Sequence, residues 1–216
     1  VTLFEAANPK RTNPEEISPG SLLDEGRLRI EEDLADAPRV RGRLLNALGA
    51  AYRAMGDYET ALTLGGEALR IYEELYAERP AQAAPAKADL AHSLAQAGRL
   101  EEAAALFREA LAELRGAGES AGRMLAGAMN NYGMLLNKEG QFTRAEAVLE
   151  EVVAMARAGR DVPGRLRARV MVNRAIARAG QSRYVEAVGD LERAQALFEE
   201  LGESANFPLA AVHLSM

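Results

Sequence analysis

The sequence predicts an all-α fold, a solenoid of antiparallel helix pairs. Three observations predict it. Hydrophobic residues make up 48% of the 216, yet aromatics only 5% with no tryptophan, so the apolar content is mostly aliphatic and small, as close-packed helices require. Glycines recur at Gly56, Gly98 and Gly140, each 42 residues from the last. Around them a large apolar residue keeps step at Tyr58, Leu100, Phe142 and Tyr184, and alanine at Ala61, Ala103, Ala145 and Ala187. A constant period of this length marks stacked repeats.

The elements follow in order. Residues 1–20 read as an extended, proline-rich linker. Residues 21–37 carry a capping helix, with Ser18 and Pro19 as its cap and pre-set first turn. "LLDEGRLRIEEDL" lines up with "TLGGEALRIYEEL" of the first repeat, so it should cover that repeat's open side. Four repeats come next, at 38–80, 81–118, 119–161 and 162–204.

In each, a first helix with apolar positions such as Leu45, Leu48 and Tyr52 ends at the glycine, which closes it in the left-handed conformation. Asp57 caps the helix that follows. "ERPAQAAP", "RGAGES" and "GRDVPG" separate unit from unit.

Small residues at Gly49, Ala91, Gly133 and Ala175 sit where helices cross, as do Ala68, Ala110 and Ala194, with Val152 in the third unit. A glycine there costs about 1 kcal/mol of helix stability, tolerable where it lets backbones approach.

The fourth unit departs: Arg174 and Arg178 take apolar positions and Ser182 replaces the glycine. An ungapped register keeps Ser182 at the turn. A two-residue shift aligns Gly180 instead and lengthens the turn. The ungapped register is kept, and the face taken by the two arginines stays open. Residues 205–216 read as a truncated first helix of a further repeat. With no initiator methionine and an abrupt end at "PLAAVHLSM", the chain reads as a piece of a longer protein.

Small residue, Tyr or Leu three places on, glycine, aromatic, then two alanines seven apart: over residues 42–202 this resembles the tetratricopeptide repeat, in the long variant of kinesin light chains. The resemblance implies a superhelix that binds a protein or peptide in a concave groove lined by the first helices. By analogy with that family, the contacts fall on Arg43, Asn46 and Arg53, on His92 and Gln96, and on Asn130, Met134, Asn137 and Lys138. This set is basic and amide-rich, and suits a peptide carboxylate or main chain. The carboxylate-clamp pattern of chaperone-binding relatives is not reproduced, since its first unit lacks the needed lysine.

A second, narrower resemblance covers residues 3–62. "LFE", the proline-rich linker and "LLDEGRLRIEEDL" look like the segment after the catalytic domain of bacterial serine/threonine protein kinases with tetratricopeptide tails. In that family a membrane span often lies between kinase and repeats. The chain itself has no glycine-rich phosphate loop, HRD or DFG, so it is expected to catalyse nothing.

Other chemistry finds little footing. The net charge of −6 opposes adhesion to nucleic acid. Zero cysteines exclude disulfides and thiolate sites, and two isolated histidines form no metal set. Ser93 adjoins His92 in sequence, so on a helix the two point about 100° apart. "GAGESAG" follows a helix and reads as a turn rather than a phosphate loop.

No cofactor is expected, and no segment is long and apolar enough to enter a membrane. Nothing in the composition fixes a compartment, cytoplasmic or extracytoplasmic. The leading function is a protein-interaction or scaffolding module of such a kinase. The alternative is the repeat domain of another bacterial signalling or transcriptional regulator. Self-association through the C-terminal end, along Leu197 and Leu201, is expected as well.

Overall fold

A computed structural model describes residues 19–202. The expected linker up to Ser18, that residue's capping role and the truncated helix at 205–216 lie outside the described residues. Among the described residues there are nine α-helices, two short 3-10 turns and no strand. The chain divides into two compact units, the first ending at Arg99 and the second beginning at Leu100.

In the first unit, α1 (Pro19–Asp33), α2 (Pro38–Ala54), α3 (Tyr58–Leu75) and α4 (Ala84–Gln96) follow one another. Helix α2 packs on α3, α3 on α4, and α2 also touches α4. Helix α1 lays Ile30 into the core formed by Leu45, Tyr52, Leu64 and Ile71, with Leu23 and Leu34 at its edge. It therefore packs against the first helix pair. Tyr52 ties the two together, donating its hydroxyl to Asp24 Oδ1 at 2.5 Å. Burial first, then that hydrogen bond and the Asp24 charge, push the Tyr52 phenol up to about 12.

In the second unit, α5 (Leu100–Gly116), α6 (Gly122–Lys138), α7 (Phe142–Arg157), α8 (Gly164–Gly180) and α9 (Tyr184–Glu200) repeat the pattern, with α6 also touching α8. Phe107 of α5 and Tyr132 of α6 pack ring to ring at 5.7 Å, and "GAGESAG" holds a 3-10 turn over Gly118–Ala121.

One turn geometry sets the period. Gly56, Gly98 and Gly140 all have positive φ. After each, the next amide reaches back five residues: Asp57 to the Tyr52 carbonyl, Arg99 to Leu94 and Gln141 to Leu136. This six-to-one bond closes a helix on a left-handed residue.

In the fourth unit Arg183 bonds back to the Arg178 carbonyl in the same way, and Ser182 takes the left-handed conformation at φ 62°. The ungapped register is the one the chain adopts. Gly180 has another purpose: a Cβ there would stand 2.6 Å from the Phe142 ring.

The small residues are spacers as predicted. Ala61, Ala68, Ala103, Ala110, Ala145 and Ala194 are wholly buried. A Cβ on Gly133 would meet the Leu149 side chain at 2.8 Å, and one on Gly49 the Ala61 carbonyl oxygen at 3.2 Å. Asp57 caps α3, its Oδ1 accepting from the Thr60 amide at 3.1 Å.

Candidate functional site

The nine residues expected to meet a ligand lie on α2, α4 and α6, and four of them prove to hold the next repeat in place. In the first unit, Asn46 donates to Asp89 Oδ2 at 2.7 Å, from α2 to α4. Arg53 donates to Ser93 Oγ at 2.9 Å and, more weakly, to the Asp89 carbonyl at 3.5 Å.

In the second unit, Asn173 of α8 donates to Asn130 Oδ1 at 3.0 Å, and Asn137 donates to the Asn173 carbonyl at 2.7 Å. Asn46 and Asn130 occupy the same place in their repeats, two periods apart. So do Arg53 and Asn137, and so do Asp89 and Asn173. The same clasp between first helices is thus built twice.

Two expectations need correction. Asn130 is 0% exposed, so it cannot line a groove: its amide is closed in by Asn173 and Asn131. Arg53 is half-buried rather than exposed, and Asn46 and Asn137 are half-buried too. The reason is common to all four. A polar side chain on the inner side of one first helix, even a short asparagine, reaches the next first helix before it reaches solvent.

Burial shapes the charges here. It pushes the Asp89 carboxyl above its ordinary value, against the Asn46 hydrogen bond and the Arg53 charge. It also lowers the Arg53 guanidinium, with Asp89 opposing.

The remaining five are accessible in varying degree. Arg43 on α2 is exposed, and His92 and Gln96 sit half-buried one turn apart on α4. On α6, at the equivalent places one period later, Met134 is half-buried and Lys138 exposed. One accessible residue was absent from the expected set: Ile176 of α8, 41% exposed, at the position of Met134 one repeat further on. It is reached by counting 42 from Met134, once Ser182 is accepted as the turn. No group of three or more potential ligands could hold a metal among the described residues, and none of their helices is long and apolar enough to cross a membrane.

The sequence also left open the face of Arg174 and Arg178, and the answer is inward. Arg174, 3% exposed, forms a two-pronged ion pair with Asp190 of α9 and reaches Glu150 of α7. Arg178 binds Glu146 and Asp190, both at 2.9 Å. Arg183 and Gln181 close on Glu146 from the turn. Burial raises the Glu146 carboxyl, but hydrogen bonds from Arg178, Gln181 and Arg183 outweigh it and hold it below the usual range.

The Arg174 guanidinium is likewise disfavoured by burial, and Asp190 and Glu150 more than compensate. A signal was present in the sequence. In register, Arg174 follows Leu48, Leu90 and Tyr132, while Asp190 follows Leu64, Leu106 and Val148. Two apolar columns change to opposite charges in one unit.

The tetratricopeptide-repeat family model matches residues 40–116 and 124–200. The chain is a tetratricopeptide repeat protein. Its fold is accordingly an all-α solenoid, and the tetratricopeptide-repeat fold generally mediates protein–protein interaction.

A search of curated proteins returned no match. Among solved structures the chain is similar to BtubC (BKLC) from P. vanneervenii, at 22% identity and TM-score 0.64, covering 88% of this chain and 75% of that one. It is similar to the apo form of RapI at 16% identity and TM-score 0.68, covering 93% and 70%. A Podosopora anserina putative kinesin light chain with nearly identical TPR-like repeats gives 20% identity and TM-score 0.60, covering 86% and 91%. These likenesses concern the fold, and they agree with the long-repeat variant expected from the 42-residue period.

Proposed function

We propose that this tetratricopeptide repeat chain holds a protein or peptide segment against the accessible positions of its first helices. The observation that carries the proposal is in the second unit. Met134 of α6 and Ile176 of α8 stand at one register position on neighbouring helices, with Lys138 exposed one turn beyond Met134. The polar residues beside them are tied between helices, so the surface is set in advance of any ligand. An apolar side chain beside a carboxylate is the ligand pattern that suits it.

The resemblance of residues 3–62 supports a narrower proposal: the module belongs to a bacterial serine/threonine kinase, as its sensory or scaffolding part. The coding sequence before Val1 tests this directly. A glycine-rich loop, HRD and DFG there support it, and their absence refutes it. The binding proposal is tested by selecting peptides from a displayed library against the whole chain. Selected peptides that ignore Met134→Glu and Ile176→Glu would place the ligand elsewhere.

Self-association at the α9 end is also proposed, where Tyr184, Val185, Val188 and Leu201 are exposed. Sedimentation over a concentration series tests it, and a strict monomer throughout refutes it.

A further inference from the structure

We propose that a cavity between α7, α8 and α9 binds a carboxylate joined to a small, branched apolar body. It lies within the second unit, has a volume of about 190 Å³, and is separate from the first-helix positions of the proposed peptide surface. Its apolar lining includes Val152, Val170 and Met171. Four arginines complete the wall: Arg157 from α7, Arg167 and Arg174 from α8, and Arg193 from α9.

No carboxylate lines it. Glu150 and Asp190 pair with Arg157, Arg174 and Arg193 without contributing to the wall. Arg167 has no ion pair or side-chain hydrogen bond among the described residues. Arg157 and Arg193 have side chains 72% and 64% exposed, so they mark the mouth, while the buried Arg174 marks the interior.

The chemistry of the lining selects the ligand. Four guanidinium groups gathered around one cavity, in a chain of net charge −6, repel a cation and favour an anion. Carboxylate is an anion that a planar guanidinium engages with two parallel hydrogen bonds, and it is smaller than the phosphate group that guanidinium also binds in this way. Bare inorganic anions would leave the Val152, Val170 and Met171 surfaces unfilled, so the ligand brings an apolar group of its own. The volume is below the roughly 300–1,000 Å³ of sites for drug-sized molecules, which points to a body of single-residue size. Two sources share this chemistry: a free branched-chain acid, and the C-terminal leucine-like residue of a peptide.

Met171 makes the test specific. The methionine methyls of the full chain are labelled with carbon-13, and the Met171 signal is assigned by Met171→Leu. The probes are 4-methylpentanoate, N-acetyl-leucine and N-acetyl-leucinamide. The Met171 methyl should shift saturably with both acids, and the Met134 methyl should stay still. The amide should bind at least about tenfold more weakly, and Arg167→Gln should weaken both acids by about tenfold or more. Arg167 is exposed and has no ion pair among the described residues, so that variant should melt with the wild type.

Tighter binding of N-acetyl-leucine assigns the site to a chain end, and tighter binding of 4-methylpentanoate assigns it to a free acid. A silent Met171, equal binding of acid and amide, or wild-type affinity in Arg167→Gln would each overturn the proposal.

Discussion

Arg174 on α8 grips Asp190 on α9 with two hydrogen bonds, 2.8 Å and 2.6 Å, and both side chains are shut away from water. Breaking such a pair from one side strands the other charge. Asp190→Ala should therefore cost about 3–5 kcal/mol, measured by urea unfolding. Replacing both, as Arg174→Met with Asp190→Leu, should recover much of the loss, because two apolar residues restore the columns found in the other repeats. A double variant as unstable as the single one would show that the pair is not the source of the loss.

Stability should respond to acid in two opposed ways. Glu146 is held below the usual carboxylate range, so its contribution is present above that range and lost as pH falls through its folded value. Asp89 is held above its ordinary value, so the folded state disfavours its charge, and its penalty grows as pH rises through the raised value. Asp89→Asn should then melt with the wild type at low pH and above it near neutrality. Asparagine already fills the equivalent places, Asn131 and Asn173. Melting curves across pH 3–8, a span of about five units around the carboxylate range, check the sign.

Spacer glycines and free glycines should behave oppositely. Gly133→Ala drives a methyl group against Leu149, and overpacking of this kind typically costs about 1–3 kcal/mol. Gly189, in α9, has nothing within 4 Å of an added Cβ, so Gly189→Ala should stabilise by about 0.4–1 kcal/mol. Thermal melts of the two variants moving the same way would contradict the packing described. Ala103→Leu and Glu101→Ala form a second contrast, because Ala103 is wholly buried and Glu101 exposed.

Ser182 is the one described non-glycine residue with positive φ. Ser182→Gly should remove a left-handed cost of about 1–2 kcal/mol, and chemical denaturation measures the gain. No gain would mean that the serine side chain compensates locally.

The fold was legible because its determinants act on backbone geometry. A left-handed turn favours glycine, a crossing needs a small residue, and both recur at a fixed spacing whatever lies around them. The site was only partly legible. Register identifies which residues share the inner side, but not how far a side chain reaches, so Asn46, Arg53, Asn130 and Asn137 read as ligand contacts when they bind the next helix.

The Arg174 network was hidden for a different reason. Its partners Glu150 and Asp190 are 24 and 16 residues away in sequence, and only the stacking of α7, α8 and α9 brings them together. Ile176 was missed because the ligand positions were carried only through the first three units, although the ungapped register places it 42 residues after Met134.

Placing acidic residues on the two sides of the repeats tests the binding claim most directly. Peptides selected on the whole chain are measured against Met134→Glu with Lys138→Glu, and against Arg70→Glu with Arg108→Glu. The second pair lies on the exposed sides of α3 and α5. The first pair should weaken binding by about tenfold or more while leaving the melting temperature within about 2–4 °C, and the second pair should change neither. Loss of binding in the second pair, with the first pair binding as wild type, would contradict the claim and move the site to the second helices.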